Sequence, residues 1–220
     1  MKQWFKYERI PGLLASSYEK ACRMVIEGYY SHVAEEIVLN IQHGNILDLG
    51  SGPGYLPVEI VKRAPDVKIM GIDLSRKLIG MAEANALKAG LSSQLNFEVG
   101  NSAKLRFKDT SFDMVISTGM LHSLKKPVSV FLEIYRVLKK SGEAWIFDPA
   151  NITRYIDRGA WKASLNLRER SYLWIFGLTG LHRPIVTYRR DQVIPMIEAT
   201  KFTNYWIDEK DAEIQIKLKK

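Results

Sequence analysis

Three glycines follow an apolar run at residues 46–54. The stretch reads ILDLGSGPG and places glycine at positions 50, 52 and 54. Glycines at alternate positions after a predicted strand are typical of a loop whose backbone packs against a ligand, because a Cβ atom would block that approach. Ligands of open α/β sheets bind outside the carboxyl ends of the strands, where such a loop begins. The stretch therefore predicts a ligand-binding loop.

The spacing of these glycines separates several kinds of nucleotide-binding loop. A phosphate-binding loop of the Walker type needs a lysine directly after its last glycine, and no lysine follows Gly54. The dinucleotide fingerprint GxGxxG needs a glycine at position 55, which is Tyr55 in this chain. Both of these interpretations are therefore disfavoured.

The elements around the loop predict a parallel sheet covered by helices. Short, nearly continuous apolar runs are typical of strands buried on both faces. These runs are residues 45–50, 67–73, 95–100, 112–118 and 143–148. Helical patterns alternate with them. The clearest helical patterns extend from Ser75 to Gly90, from Pro127 to near Gly142 and around residues 190–200.

The two ends of the chain complete the predicted fold. Residues 15–43 have a helical pattern, whose apolar stripe is Val33, Ile37, Val38 and Ile41. The runs TNYWIDEK and AEIQIKLKK, near the C-terminus, predict two adjacent antiparallel strands. We expect a single α/β domain over residues 1–220, with residues 1–44 as a helical cover. Its doubly wound, mostly parallel seven-stranded sheet would have helices on both faces and an antiparallel C-terminal strand.

Several motifs in chain order resemble those of class I S-adenosylmethionine-dependent methyltransferases. ILDLGSGPG is similar to the family's first motif, GIDLS to the acidic end of its second strand, and FDMVISTGMLHSL to its fourth-strand motif. The resemblance extends from about residue 29 to residue 149 and is nearest to ubiquinone and menaquinone C-methyltransferases. It implies a Rossmann-like methyltransferase fold, with S-adenosyl-L-methionine as methyl donor and S-adenosyl-L-homocysteine as product.

The resemblance also implies a set of cofactor contacts. Asp73 would accept hydrogen bonds from both ribose hydroxyls, and its charge makes them stronger than bonds to a neutral acceptor. Asn101 stands where the family usually has Asp, so its bond to the adenine amino group would be neutral and weaker. The predicted contacts are Tyr29, Asp48, Gly50, Ser51, Gly52, Gly54, Asp73, Leu74, Asn101, Ser102, Thr118 and Leu121. Core packing is the alternative role for Tyr29.

Methyl transfer from a sulfonium is a direct displacement, so the protein mainly positions the acceptor and excludes water. A base is needed only if the acceptor holds its proton. His122, after strand four, and Asp148, at the end of strand five, are the candidate catalytic residues. A helix-capping role is the alternative for Asp148. No metal site is expected, because Cys22 is the only cysteine and the histidines lack ligand spacing.

The region after strand four excludes several acceptors. Amino methylation of adenine or glutamine in this superfamily uses an Asn- or Asp-Pro-Pro-aromatic motif there, whereas this chain has STGM. Cytosine C5 methylation needs a cysteine nucleophile near the acceptor, and Cys22 lies in another region. Arsenic methylation needs several cysteines. A small-molecule acceptor is therefore expected.

Basic and aromatic residues are concentrated between strand five and the last helix. The chain has a formal net charge of +8, and residues 151–190 contain eight basic and two acidic residues. We interpret residues 150–189 as a helical insert and substrate lid. Three roles are open for this insert. It would recognise an anionic, aromatic or lipid-like acceptor, or it would dock on a membrane surface or nucleic acid by charge. The third role is a solvated lid with an apolar underside. Nucleic acid is the least expected partner.

Two functions of different classes fit these features. The first is a small-molecule methyltransferase, and the second is a cofactor-fold binding module that docks RNA, a membrane surface or a protein through the insert.

No apolar run is long enough to span a membrane, and MKQWFKYERI lacks the apolar region of a signal peptide. We therefore expect a cytoplasmic protein. The sequence does not define its oligomeric state.

Overall fold

Seven strands form one sheet in the computed structural model, which describes residues 8–149, 158–171, 188–210 and 213–220. In chain order the strands are β1 (His43–Leu49), β2 (Asp66–Asp73), β3 (Leu95–Val99), β4 (Phe112–Thr118), β5 (Leu138–Pro149), β6 (Asn204–Lys210) and β7 (Glu213–Lys219). The helices are α1 (Ala15–Met24), α2 (Ser31–Val38), α3 (Tyr55–Arg63), α4 (Arg76–Lys88), α5 (Pro127–Val137), α6 (Arg158–Ser164) and α7 (Arg190–Glu198).

The strand order is β3-β2-β1-β4-β5-β7-β6. The pairs from β3 through β5 are parallel, whereas β7 is antiparallel to both of its neighbours. The order reverses between β1 and β4, so the chain leaves these two strands in opposite directions. A crevice forms at their carboxyl ends, where doubly wound sheets bind ligands. The predicted fold class is confirmed.

Alternating side chains of the central strands form two apolar cores, one on each face of the sheet. Ile46 belongs to one core and its neighbour Leu47 to the other, and both are fully buried. The first core joins the sheet to α5 and α7 through residues that include Val115, Phe131, Ile134, Val193 and Ile197. The second joins it to α2, α3 and α4 through residues that include Ile116, Val33, Ile37, Ile60 and Ala86.

The predicted helix at residues 15–43 is divided in the structure. A π-helical turn, Ile26–Tyr30, separates α1 from α2, and β1 begins already at His43. Of the predicted stripe, Val33 and Ile37 are buried, whereas Val38 and Ile41 are only half-buried. The apolar pattern therefore located the inner face of α2 but not the interruption before it.

The prediction that the helix from Pro127 continues to near Gly142 was wrong. The helix ends at Val137, and β5 begins at Leu138, which pairs with Phe112 of β4. Leu138 is fully buried, so backbone pairing and core burial there outweigh the helical propensity of the lysines that follow. The strand is irregular where Ser141 has a φ of +66° and the β4–β5 register shifts.

The described part of the predicted insert packs against α1. The indole Nε1 of Trp161 donates to the carbonyl oxygen of Ser17 at 3.1 Å. The Nζ of Lys20 lies 2.8 Å from Oε2 of Glu169. The rest of the insert, residues 150–157 and 172–187, lies outside the described residues. Within the ranges given above, no helix is long and apolar enough to cross a membrane.

Candidate active site

The glycine loop after β1 lies against the end of β2. The amides of Gly50 and Ser51 donate to the carbonyl oxygen of Ile72, at 2.8 and 3.0 Å. Gly50, Gly52 and Gly54 have φ of +75°, +53° and +77°, in the left-handed region that glycine enters without steric penalty. The loop thus bends sharply at the sheet edge where the crevice opens.

Packing leaves less room for a Cβ atom at the first and third of these glycines than at the middle one. A Cβ atom at Gly50 would lie 3.0 Å from the sulfur of Met120, and one at Gly54 would lie 2.9 Å from Cβ of Ala82. At Gly52 the nearest atom would be a ring carbon of Tyr18, 3.8 Å away. A side chain at Gly52 would therefore make only an ordinary contact with Tyr18, and the loop is least tightly packed at this position.

Asp73 is hydrogen-bonded to this loop from the end of β2. Its Oδ2 accepts from the amide of Gly52 at 3.2 Å, and its Oδ1 accepts from the amide of Ser75 at 2.7 Å. Burial raises the pKa of Asp73, although these two bonds oppose that shift. Each carboxylate oxygen has a second lone pair. Asp73 can therefore accept further hydrogen bonds from a ligand beside the loop.

Asp48 adds a second, more deeply buried carboxyl group. It is 2% exposed, and burial together with the charge of Asp73 raises its pKa from 3.8 to about 8. Within the described residues, neither Oδ1 of Asp48 nor Oγ of Ser51 has a hydrogen-bond partner. Buried polar atoms in native proteins are nearly always paired. A ligand group that donates hydrogen bonds or carries positive charge would satisfy both.

Helix α1 lies over the glycine loop and the elements beside it. The hydroxyl of Tyr55, just after the loop, donates to a carboxylate oxygen of Glu19. The Nζ of Lys77, at the start of α4, donates to the carbonyl oxygen of Gly12 at 3.1 Å. With Tyr18 beside Gly52, these contacts make α1 and the residues just before it a cover for one side of the crevice.

The tyrosines of the N-terminal segment are mostly core residues. Tyr29 is 3% exposed, and its ring lies 5.7 Å from that of Tyr30. Cys22 packs in the same core, where burial raises the pKa of its thiol to about 11. The thiol therefore stays protonated at neutral pH. The predicted cofactor contact of Tyr29 stays a prediction.

The adenine contacts predicted after β3 also stay predictions. Asn101 is exposed, and its amide oxygen accepts from the backbone N–H of Ala103 at 2.9 Å. This bond holds the local turn, so an adenine amino group would have to share the oxygen. Leu74 and Ser102 are half-buried at the ends of β2 and β3.

The remaining predicted contacts lie at the end of β4. Thr118 is half-buried and pairs with Phe147 of β5. Leu121 is 1% exposed, and its side chain belongs to the core below the loop. The side chain of Leu121 is therefore a core side chain, and the predicted cofactor contacts of Thr118 and Leu121 stay predictions.

His122 and Asp148 form a hydrogen-bonded pair beside these residues. Nδ1 of His122 lies 2.9 Å from Oδ1 of Asp148, and the backbone amide of His122 donates to Oδ2 at 3.0 Å. Asp148 is fully buried at the end of β5, whereas the His122 side chain is 20% exposed. The structure therefore joins the two predicted catalytic candidates into one unit.

Sequence reasoning missed Tyr18 and Met120 as neighbours of the glycine loop. Tyr18 lies far from the loop in sequence, and only the docking of α1 brings it near Gly52. Met120 belongs to the STGM run, but spacing alone does not show that its side chain packs on Gly50. Over the described ranges, no three His, Cys, Asp or Glu residues form a group that could hold a metal ion.

A family model described as "Methyltransferase domain" matches residues 41–177, more than half of the chain. The chain belongs to this family. The resemblance to class I S-adenosylmethionine-dependent methyltransferases is thereby confirmed, with S-adenosylmethionine as the cofactor. The matched region includes the glycine loop, Asp73 and the His122–Asp148 pair.

Curated relatives of this methyltransferase include enzymes of quinone biosynthesis. A demethylmenaquinone methyltransferase of Lactobacillus johnsonii is 28% identical, and the matched region covers 59% of this chain and 54% of the length of that protein. A ubiquinone/menaquinone biosynthesis C-methyltransferase of Dinoroseobacter shibae is 31% identical over 71% of this chain and 58% of its own. The chain thus spans less than two thirds of the length of the relatives that it matches.

Solved structures share the fold of this methyltransferase at low sequence identity. A Methanococcus maripaludis protein, assigned as an S-adenosylmethionine-dependent methyltransferase, has a TM-score of 0.75 at 21% identity and covers all of this chain and 97% of its own. Phosphoethanolamine N-methyltransferase 2 of Haemonchus contortus, in complex with S-adenosylmethionine, has a TM-score of 0.60 at 18% identity. It covers 82% of this chain and 38% of its own.

Proposed function

We propose that this methyltransferase transfers the methyl group of S-adenosylmethionine to a small-molecule acceptor in the crevice beneath α1. The observation that carries the proposal is the hydrogen bond between Gly52 and Asp73. It joins the glycine loop to the acidic end of β2, so a loop backbone and a ribose acceptor lie side by side. The two orphaned oxygens, of Asp48 and Ser51, lie in the same region.

These residues fit the chemical groups of S-adenosylmethionine. Asp73 would accept from the ribose hydroxyls, and Asp48 with Ser51 would pair with the cationic and donor groups of its amino acid part. When bound, the cofactor supplies a methyl group on a positively charged sulfur, which is already a good leaving group. The protein's own contribution is to hold the acceptor in line and to keep water out.

A small aromatic acceptor is favoured by two observations. The loop after β4 reads STGM, which lacks the motif used for amino methylation of adenine or glutamine. Relatives similar to this chain are named demethylmenaquinone and ubiquinone/menaquinone methyltransferases. We therefore assign the acceptor to the class of small molecules with an aromatic or conjugated ring.

The insert is proposed to complete the cover over this acceptor. Its described polar contacts, from Trp161 to Ser17 and between Glu169 and Lys20, are made with α1. They hold α6 and the residues around Glu169 against the helix that borders the crevice. This arrangement favours a lid over a surface that docks RNA or a membrane.

Calorimetric titration with S-adenosylhomocysteine tests the cofactor site. We expect saturable binding by the wild-type chain. Loss of the charged hydrogen bonds in Asp73→Ala should weaken binding by about 1 to 3 kcal/mol, roughly 5- to 150-fold in Kd. Asp66→Ala is the matched control, because Asp66 is exposed at the opposite end of the same strand. Equal affinities of the two variants would refute the assigned site.

A further inference from the structure

We propose that His122 is the general base of the reaction, that Asp148 positions it, and that the acceptor atom belongs to a phenolic or enolic hydroxyl. This inference rests on the proposed function and names the substrate class of the same site. It is carried by the two contacts that Asp148 makes with His122, one to the ring and one to the backbone.

The contact at Nδ1 determines which ring nitrogen of His122 is basic. An ionised carboxylate only accepts hydrogen bonds, so Nδ1 of a neutral His122 must carry the proton that faces Oδ1 of Asp148. The lone pair is then on Nε2. In the described part of the chain, Nε2 makes no hydrogen bond, and the side chain is partly exposed. Nε2 is therefore free to accept a proton from a bound acceptor.

A helix-capping role explains the contact of only one of the two Asp148 carboxylate oxygens. Oδ2 accepts from the backbone N–H of His122 and supports the short turn Leu121–Ser123. Oδ1 has the imidazole as its partner among the residues that the structure describes. Because a fully buried carboxylate without hydrogen bonds is costly, this oxygen depends on the imidazole, and the imidazole is in turn held in one orientation.

The need for a base distinguishes classes of acceptor. A neutral amine attacks with a free lone pair and can lose its proton afterwards. A hydroxyl with a tyrosine-like pKa near about 10 is protonated at neutral pH and becomes a good nucleophile only as its proton leaves. An imidazole that a buried carboxylate holds in one orientation, just after β4, matches this second case.

The proposed step conserves atoms and charge. The O–H bond of the acceptor breaks as Nε2 of His122 takes the proton, and an electron pair of the oxygen forms the bond to the methyl carbon. The electron pair of the broken carbon–sulfur bond stays on sulfur. The products are a methyl ether, a neutral thioether and a protonated His122, which returns its proton to solvent while Asp148 keeps the ring oriented.

Two phenol probes test the role of His122. One is unsubstituted phenol, with a pKa near about 10, and the other is a dinitrophenol, a nitrophenol whose second nitro group keeps it almost fully ionised at neutral pH. We expect His122→Gln to slow methylation of phenol by about 100- to 10,000-fold, the range of a general base, and that of the nitrophenol by less than about tenfold. Equal losses on both probes, or no turnover of either phenol by wild-type enzyme, would overturn the proposal.

Asp148→Asn tests the positioning role with a readout besides activity. Nitrogen NMR of histidine-labelled protein should show His122 protonated at Nδ1 in the wild type, with its signal assigned by its loss in His122→Gln. We expect the asparagine amide to donate to Nδ1 and move the proton to Nε2, with a loss on phenol similar to that of His122→Gln. The double variant should be no slower than either single variant. An unchanged tautomer or additive losses would contradict the pairing.

Binding of S-adenosylhomocysteine separates this inference from the proposed function. His122→Gln and Asp148→Asn should both retain binding within about threefold, since neither is assigned to the cofactor. If wild-type protein binds no S-adenosylhomocysteine, the proposed function fails. If binding is intact and the phenol probes lose rate equally, only the assignment of the base fails.

Discussion

The backbone amide of Gly52 donates a hydrogen bond to Oδ2 of Asp73 across 3.2 Å, which connects the loop after β1 to the end of β2. The bond fixes the carboxylate beside Gly52, which is the least tightly packed of the three glycines in the ILDLGSGPG loop. The proposed cofactor site is therefore organised by a hydrogen bond within the chain itself. Such organisation reduces the ordering cost of binding.

The packing around Gly54 predicts a large difference between two glycine substitutions. A Cβ atom at Gly54 would lie 2.9 Å from Cβ of Ala82 and 3.0 Å from a ring carbon of Phe97, with φ in the left-handed region. We expect Gly54→Ala to lower the free energy of unfolding by about 2 to 5 kcal/mol. Urea denaturation measures this change.

Gly80→Ala is the control for this substitution. Gly80 lies within α4, and a Cβ atom there would meet no atom within 4 Å. The change should therefore raise the free energy of unfolding by about 0.5 to 1 kcal/mol, because alanine has less freedom to lose in a helix. Similar destabilisation by both substitutions would show that the contacts of Gly54 with Ala82 and Phe97 are not its cause.

The buried carboxyl of Asp48 predicts that stability falls as pH rises. Its pKa is 3.8 as a free group and about 8 in the folded chain. At pH values between 3.8 and about 8, the native state therefore binds a proton on Asp48 that the unfolded state does not. The free energy of unfolding should therefore decrease with increasing pH across this window and level off above about pH 8. Urea titrations from about pH 5 to about pH 9 measure the slope.

Replacing Asp48 isolates its contribution to this slope. Asp48→Asn keeps the shape but has no ionisable proton, so its stability should depend less on pH and exceed that of wild type by a few kcal/mol near about pH 8. Asp66→Asn, at an exposed carboxylate, should leave the slope unchanged. A wild-type slope retained in Asp48→Asn would show that another group titrates.

The contact between α1 and the insert predicts a substitution that loosens the cover. Glu169 is 6% exposed and accepts hydrogen bonds from Lys20, Ser16 and the amide of Asn166 at 2.7 to 2.8 Å. Burial alone would raise the pKa of Glu169, but these bonds lower it to about 2. The stabilisation is therefore present above about pH 4.5 and is lost as pH falls towards 2.

Breaking this contact should increase the mobility of both elements. We expect Glu169→Gln to speed amide hydrogen exchange in α1 and α6 by roughly 10- to 150-fold, since a buried charged hydrogen bond is worth about 1.5 to 3 kcal/mol. The control is Arg23→Gln, which removes an exposed pair with Glu19 within α1. Faster exchange in the control as well would indicate general fraying of α1 instead.

The sequence was sufficient for the elements whose signals are local. The strand before the glycine loop, Asp73 at the end of β2 and the two C-terminal strands follow from short apolar runs and their end residues. The limits of α5 were missed, because lysines after Val137 favour a helix while pairing of Leu138 with Phe112 favours a strand. Tertiary contacts decide such cases.

The candidate site was predicted as separate residues but not as an arrangement. His122 and Asp148 lie 26 positions apart, and only the register of β4 against β5 brings them to 2.9 Å. Tyr18 reaches the loop because α1 folds over the crevice, a docking that no local pattern encodes. Asn101 was predicted to contact adenine from its position after β3. The hydrogen bond of its side chain with the amide of Ala103 was not predicted, because it depends on the geometry of the turn.

The most direct test of the cofactor site is a crystal structure of the chain with bound S-adenosylhomocysteine. We expect both ribose hydroxyls to donate to Asp73 within about 2.6 to 3.2 Å, with the amino acid part beside Gly52, Asp48 and Ser51. Binding of the ligand elsewhere, or a ribose with no contact to Asp73, would contradict it.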